Sequence, residues 1–138
     1  LTVAHAGEEG PPEYMWEALN LLNVKRIDHG VQCLKDEKLV EKLSKNQIPL
    51  TVCPLSNIKL KVFDKLYDHN LKKMLDKKLM VTINSDDPAY FGGYINQNLV
   101  ESQIALNLSK EEIKKIIINS FKSSFLTENK KLEWIKKI

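Results

Sequence analysis

Residues 79–88, Leu79-Met80-Val81-Thr82-Ile83-Asn84-Ser85-Asp86-Asp87-Pro88, join a continuous apolar run to two adjacent carboxylates. The apolar run predicts a strand that is buried on both faces, as in a parallel sheet covered by helices. Two neighbouring carboxylates repel each other when both are ionised, so they need a cation, a hydrogen-bonding substrate or solvent. The alternative is a helix start, with Asp86 or Asp87 as the cap and Pro88 in the first turn.

Two earlier strand ends have the same organisation. They are VAHAGE at residues 3–8 and RIDHG at residues 26–30. The carboxyl ends of parallel strands meet at one edge of a sheet, and sites in such folds lie there. We therefore expect His5, Glu8, His29 and Asp86 to lie close together.

The spacing of apolar residues predicts an α/β fold in which four parallel strands alternate with helices. The predicted strands lie near residues 1–4, 24–27, 49–53 and 79–84. The predicted helices lie near residues 12–22, 36–45, 70–77, 96–106, 110–122 and 128–137, with loops at 58–68 and 90–94. Four β/α units are half of a (β/α)8 TIM barrel of about 250 residues. We treat residues 1–138 as one domain that forms half of such a barrel.

Composition excludes several classes of protein. The chain has 138 residues, 43% of them hydrophobic and 28% charged, as in a soluble globular domain. It has no apolar run of about 20 residues that would span a membrane. The net charge is +3 and Arg26 is the only arginine, which argues against a nucleic-acid partner. Cys33 and Cys53 are expected to be reduced thiols rather than a disulfide or metal pair, in a cytoplasmic protein. Because the chain begins without Met, we expect it to be part of a longer protein.

The strand ends offer the groups that a catalytic zinc site uses. A neutral imidazole and a carboxylate are usual zinc ligands, and His5 and Asp86 suit that role. At least one further ligand must come from elsewhere. Glu8, if buried and protonated, suits a general acid, while His29 could steer a proton on the attacking water. His69 precedes a predicted helix, and we expect it to cap that helix or to meet solvent.

Three motifs carry a resemblance to a known family. His5-Ala6-Gly7-Glu8, Asp28-His29-Gly30 and Asn84-Ser85-Asp86-Asp87-Pro88, in this order, resemble the active-site motifs of the adenosine/adenine deaminase family. The stretches at residues 5–12, 51–57 and 87–94 are more similar to the branch that acts on free adenine. The resemblance covers essentially the whole chain and implies the second half of the TIM barrel.

The resemblance also implies a role for each site residue. His5 and Asp86 would be ligands of Zn²⁺. Glu8 would protonate N1 of the purine while water attacks C6, and His29 would orient or deprotonate that water. Asp87 would accept a hydrogen bond from N7. The implied reaction converts adenine to hypoxanthine and ammonia in purine salvage, with adenosine as the alternative substrate.

The chain departs from the family pattern in one respect. The family's other two zinc ligands form a His-x-His pair, which this chain does not contain. The complete site would therefore need the missing N-terminal half as a partner, and the fragment alone would be inactive. Two other readings remain open: a metal-dependent amidohydrolase acting on another ring, and a non-catalytic binding or scaffolding module that keeps the fold.

Overall fold

The computed structural model describes residues 1–138 and contains one four-stranded parallel sheet. Its strands lie side by side in chain order: β1 (Val3–Ala6), β2 (Arg26–His29), β3 (Leu50–Val52) and β4 (Val81–Ile83). All three neighbouring pairs are parallel. The predicted α/β architecture of parallel β/α units is confirmed.

Helices connect and follow the strands. They are α1 (Pro12–Asn20), α2 (Glu37–Asn46), α3 (Pro54–Lys59), α4 (Leu71–Asp76), α5 (Pro88–Phe91), α6 (Ile95–Leu106), α7 (Lys110–Ser123) and α8 (Glu128–Ile135). Short 3₁₀ segments span Val31–Lys35 and Leu66–Asp68. Side chains cap several helices at their N-termini: Asp36 accepts from the backbone N–H of Leu39 at α2, and Ser109 with Glu112 forms a capping box at α7.

A single cluster of 21 buried residues forms the core between the sheet and its helices. All three residues of β3 and of β4 are buried, as expected for parallel strands covered by helices. The fully buried Met15 of α1, Leu39 and Leu43 of α2 and Met74 of α4 belong to this cluster. Helix α7 is joined to β4 by a hydrogen bond, because Asn119 Nδ2 donates to the carbonyl of Val81 at 2.9 Å.

Two short helices replace expected irregular segments. Residues 54–59 form α3, because Pro54 starts the helix at its first position instead of only ending the strand before it. Within the expected loop at residues 90–94, Tyr90 and Phe91 belong to α5. Asp87 caps this helix and Pro88 occupies its first turn, so the helix-start alternative for this segment is correct.

The first helix is shorter than its apolar pattern predicts. It ends at Asn20, and Leu21 and Leu22 beyond it are 73% and 61% exposed. Tyr14 is also exposed, so only Met15, Ala18 and Leu19 of the predicted apolar face reach the core. No helix in the structure combines the length and the apolar character needed to cross a lipid bilayer.

Candidate active site

The strand register aligns the polar residues at one edge of the sheet. His5 is paired with Asp28, Ala6 with His29, and Asp28 with Thr51 across neighbouring strands. The edge opens into a cleft of about 320 Å³. Its lining consists of His5, Asp28, His29, Thr51, Cys53, Asn84, Ser85, Asp86 and Ile95. Three of the five predicted site residues, His5, His29 and Asp86, therefore face one cleft.

Left-handed backbone conformations turn the chain sharply where two of these side chains emerge. His29 has φ +71° and Asp86 has φ +58°, values that residues with a Cβ rarely adopt. Gly30 follows His29 with φ +73°, and its N–H donates to the carbonyl of Ala6 at 3.0 Å. Non-glycine residues in this region cost of order 1 kcal/mol or more each, and they concentrate at functional sites.

Glu8 lies just beyond β1 and contacts residues from two other loops. Its Oε1 accepts a hydrogen bond from Asn57 Nδ2 at 2.9 Å and lies 3.1 Å from His29 Nδ1. Burial raises the pKa of the Glu8 carboxyl, and the charges of Asp86 and Glu9 raise it further, against the opposing hydrogen bond from Asn57. These surroundings favour the protonated form that a general acid needs.

His29 is almost completely enclosed, with 2% of its surface exposed. Burial lowers the pKa of its imidazole, and the neighbouring His5 lowers it further. Although Nδ1 lies close to Glu8, the angles do not make a hydrogen bond, and Nδ1 is a buried polar atom without a partner.

His5 and Asp86 carry the donor atoms that fit a zinc ion, one imidazole and one carboxylate. The His5 side chain is 73% exposed toward the open edge, and its Nε2 lies 3.8 Å from Asp28 Oδ2. Ser56 Oγ donates to Asp86 Oδ2 at 2.7 Å, which is the type of contact that orients a ligating carboxylate. Two donors are only part of a tetrahedral zinc sphere.

Cys53 also approaches this centre. Donor atoms of His29, Cys53 and Asp86 all lie within 4.8 Å of one another. Burial raises the pKa of the Cys53 thiol to about 12, with Asp86 and Glu8 adding to the effect. Because the thiolate is the form that binds metals, a thiol that stays protonated is poorly suited as a ligand.

Asp87 occupies a different position from the other predicted site residues. Its Oδ1 accepts from the backbone N–H groups of Ala89 and Tyr90, at 3.0 and 3.2 Å, as the cap of α5. It is exposed and is not among the residues that line the cleft. Both hydrogen bonds end on one oxygen, so Oδ2 has no hydrogen-bond partner within the protein.

Three residues that the motifs left without a definite role turn out to support the site. Ser56 and Asn57 contact Asp86 and Glu8 respectively. His69 accepts at Nδ1 from the N–H of Leu71, the first residue of α4, at 3.0 Å, although Asn70 is the N-cap; His69 is 3% exposed and does not meet solvent. The position of Ser56 and Asn57 directly after a predicted strand was the signal in the sequence.

The chain is similar to known proteins over its whole length. A family model described as adenosine deaminase matches residues 1–138. An adenine deaminase of Hahella chejuensis is 59% identical over the whole chain, which spans 41% of that protein's length. The crystal structure of an adenine deaminase from Arthrobacter aurescens superposes with a TM-score of 0.95 at 48% identity, covering 97% of this chain and 41% of that one. An amidohydrolase from Burkholderia ambifaria with bound Zn gives a TM-score of 0.86 at 26% identity, covering 96% and 38%.

Proposed function

The chain belongs to the adenosine deaminase family, and we propose that the protein containing it deaminates adenine hydrolytically, giving hypoxanthine and ammonia. The observation that carries this proposal is the meeting of His5, His29 and Asp86 in one cleft, with Glu8 against His29. The relatives that this chain matches over its whole length at 59% identity are named adenine deaminases. The free base is therefore preferred to the nucleoside as the substrate.

Glu8 acts as the general acid in this proposal. Deamination of adenine requires a proton on ring nitrogen N1 as water adds to C6, because the ring must accept the electron pair that the addition displaces. A carboxyl group whose pKa is raised by burial and by neighbouring negative charges is suited to supply that proton.

His29 orients the attacking water and accepts its proton. Its Nδ1 is buried and without a partner, 3.1 Å from the Glu8 carboxyl oxygen. An imidazole in its neutral form offers a lone pair for this purpose. The proton taken from water ends on the departing amino group, which leaves as ammonia.

His5 and Asp86 hold a zinc ion in the proposed site, together with ligands from outside residues 1–138. A bound zinc supplies a water whose pKa is lowered to about 7, so that a nucleophile exists at neutral pH. Ser56 keeps the Asp86 carboxylate in its orientation through the 2.7 Å hydrogen bond.

Asp87 binds the purine through N7. Its Oδ1 is held by the N-terminus of α5, so the carboxylate has a fixed direction. Oδ2 then accepts from a protonated ring nitrogen of the bound base. This role requires a substrate that reaches from the cleft to the start of α5.

Residues 1–138 form the C-terminal half of one (β/α)8 barrel domain in this proposal. The sheet has four strands where the barrel has eight, and the chain spans 41% of the length of its curated relatives. The remaining β/α units would complete the zinc sphere and close the cleft. The two buried thiols, Cys33 and Cys53, suit the reducing cytoplasm.

The direct test measures ammonia release by the complete zinc-loaded protein with adenine and with adenosine as substrates. We expect kcat/KM for adenine to exceed that for adenosine by at least about 100-fold, because a site built for the base has no room for ribose. A preference for adenosine would replace the proposed substrate, and no release from either purine would contradict the proposed function.

A further inference from the structure

A buried chain of hydrogen bonds connects Glu8 to residues outside the cleft. Asn57 Nδ2 donates to Glu8 Oε1 at 2.9 Å, and Asn57 Oδ1 lies 3.1 Å from His69 Nε2. Leu71 N–H donates to His69 Nδ1 at 3.0 Å. Asn57 is 0% and His69 is 3% exposed, so water does not compete for the contact between them, while the Glu8 side chain is 20% exposed. The chain therefore runs from the backbone of α4 to the carboxyl group of Glu8.

The backbone N–H of Leu71 fixes which group donates and which accepts in every hydrogen bond of this series. A backbone N–H can only donate, so His69 Nδ1 must accept and carries no proton. Burial lowers the pKa of His69 to about 4, so the ring is neutral at pH 7 and its single proton is on Nε2. Nε2–H donates to Asn57 Oδ1, and the amide NH₂ of Asn57 must then point toward Glu8.

The surroundings of the His69 ring and of the Asn57 amide oppose a 180° flip of either group. The Phe63 ring packs against the His69 ring, with centroids 4.4 Å apart. An amide that turned over would place its oxygen against Glu8 Oε1 and its NH₂ against the Nε2–H of His69. The contact with His69 would then be repulsive, and the contact with Glu8 would be satisfied only if the Glu8 proton moved to Oε1.

We propose that His69 and Asn57 are positioning residues that hold the Glu8 carboxyl group with Oε1 as an acceptor, so that Oε2 carries the proton given to the substrate. This inference rests on the proposed function, since it concerns the general acid of that reaction. Oε1 already accepts from Asn57 and faces His29, which leaves Oε2 as the oxygen of Glu8 free to hold a proton. Neither positioning residue lines the cleft.

Two substitutions at position 69 separate positioning from simple packing. His69→Gln places an amide NH₂ near the position of Nε2, so it keeps the donor to Asn57 and loses the acceptor for Leu71 N–H. His69→Asn places an amide oxygen near the position of Nδ1, so it keeps that acceptor and loses the donor to Asn57. Each variant removes one hydrogen bond, but only His69→Asn allows the Asn57 amide to turn.

The experiment measures kcat, KM for adenine, zinc content and melting temperature in the complete protein. We expect His69→Asn to lower kcat by about tenfold with KM within about twofold, because the loss affects a proton transfer and not binding. His69→Gln should keep kcat within about twofold of the wild type, although both variants melt at lower temperature. Equal kcat in His69→Asn and wild type, or an equal loss in both variants, overturns the proposal.

A third variant keeps the test decisive if His69→Asn does not fold. Asn57→Asp has the same shape but presents an oxygen in place of the NH₂, and we expect the same loss of kcat or a larger one; wild-type kcat overturns the proposal. Failure of the wild-type protein to release ammonia from adenine would reject the proposed function itself. Activity in the wild type with unaffected variants would reject only this inference.

Discussion

Glu8 is the general acid in the proposed reaction. Its carboxyl lies between His29 and Asn57, and burial together with the charges of Asp86 and Glu9 raises its pKa. Glu8→Gln keeps the size of the side chain and removes the transferable proton. We expect turnover of adenine to fall by about 10²–10⁴-fold with zinc content unchanged.

Glu9→Gln is the matched control for that substitution. Glu9 is the exposed neighbour, and it receives the same Glu-to-Gln change without lining the cleft. Its turnover should stay within a few-fold of the wild type. Retained turnover in Glu8→Gln, or equal losses in both variants, would show that Glu8 is not the acid.

His69 makes the stability of the protein depend on pH. Burial lowers its pKa from 6.5 to about 4, so the unfolded chain binds a proton between these values and the folded chain does not. Above pH 6.5 this proton does not affect the free energy of unfolding. As the pH falls from 6.5 toward 4, the free energy of unfolding decreases, by at most about 3 kcal/mol.

Urea unfolding at pH 7.5 and 4.5 measures this effect. The difference in unfolding free energy between the two values should be smaller in His69→Gln than in the wild type, since glutamine does not titrate. The same pH dependence in both proteins would mean that His69 is not buried in its neutral form.

Residue contacts could be predicted from the sequence only where strand order implied them. His5, His29 and Asp86 follow three strands, and parallel strands place their ends together, so their meeting was predictable. The contact of Asn57 with Glu8 joins residues 49 positions apart. It depends on the direction of α3, a helix that is not among those predicted from the sequence.

The turn after β2 constrains the backbone of the site. Gly30 has φ +73°, and a Cβ there would lie 2.8 Å from Leu50 Cδ2 in the core. Gly30→Ala should therefore lower the free energy of unfolding by about 1–3 kcal/mol. Gly10→Ala is the control, because its Cβ would meet only the ring of the exposed Tyr14, at 2.7 Å. Equal melting temperatures for the two variants would contradict the account of this turn.

The strands and the long helices were predictable, whereas the short helices were not. Apolar runs and caps such as Ser109 and Glu112 carry strong local signals, and α6, α7 and α8 lie close to their predicted positions. Helices α3 and α5 are six and four residues long, too short for an apolar period. Pro54 and Pro88 were compatible with both a turn and a helix start. Tertiary contacts, such as Leu55 N–H to Asn98 Oδ1 at 3.1 Å, decide between them.

At the scale of the whole molecule, the sheet has two unpaired edges. β1 pairs only with β2 and β4 only with β3, and Val3 of β1 is 40% exposed. Unpaired strand edges next to exposed apolar side chains are templates for association. Residues 1–138 expressed alone should therefore self-associate, and the complete barrel should not do so through these edges. A monodisperse monomer in sedimentation velocity, with cooperative unfolding, would contradict this expectation.

The central claim is that His5 and Asp86 hold a zinc ion that adenine deamination requires. The most direct measurement is zinc content together with ammonia release from adenine, made on the complete protein beside its Asp86→Ala and Asp87→Asn variants. We predict about one zinc per wild-type chain, loss of metal and turnover in Asp86→Ala, and retained metal with a raised KM in Asp87→Asn. A wild-type protein without zinc, or an Asp86→Ala variant that keeps both metal and activity, would contradict the claim.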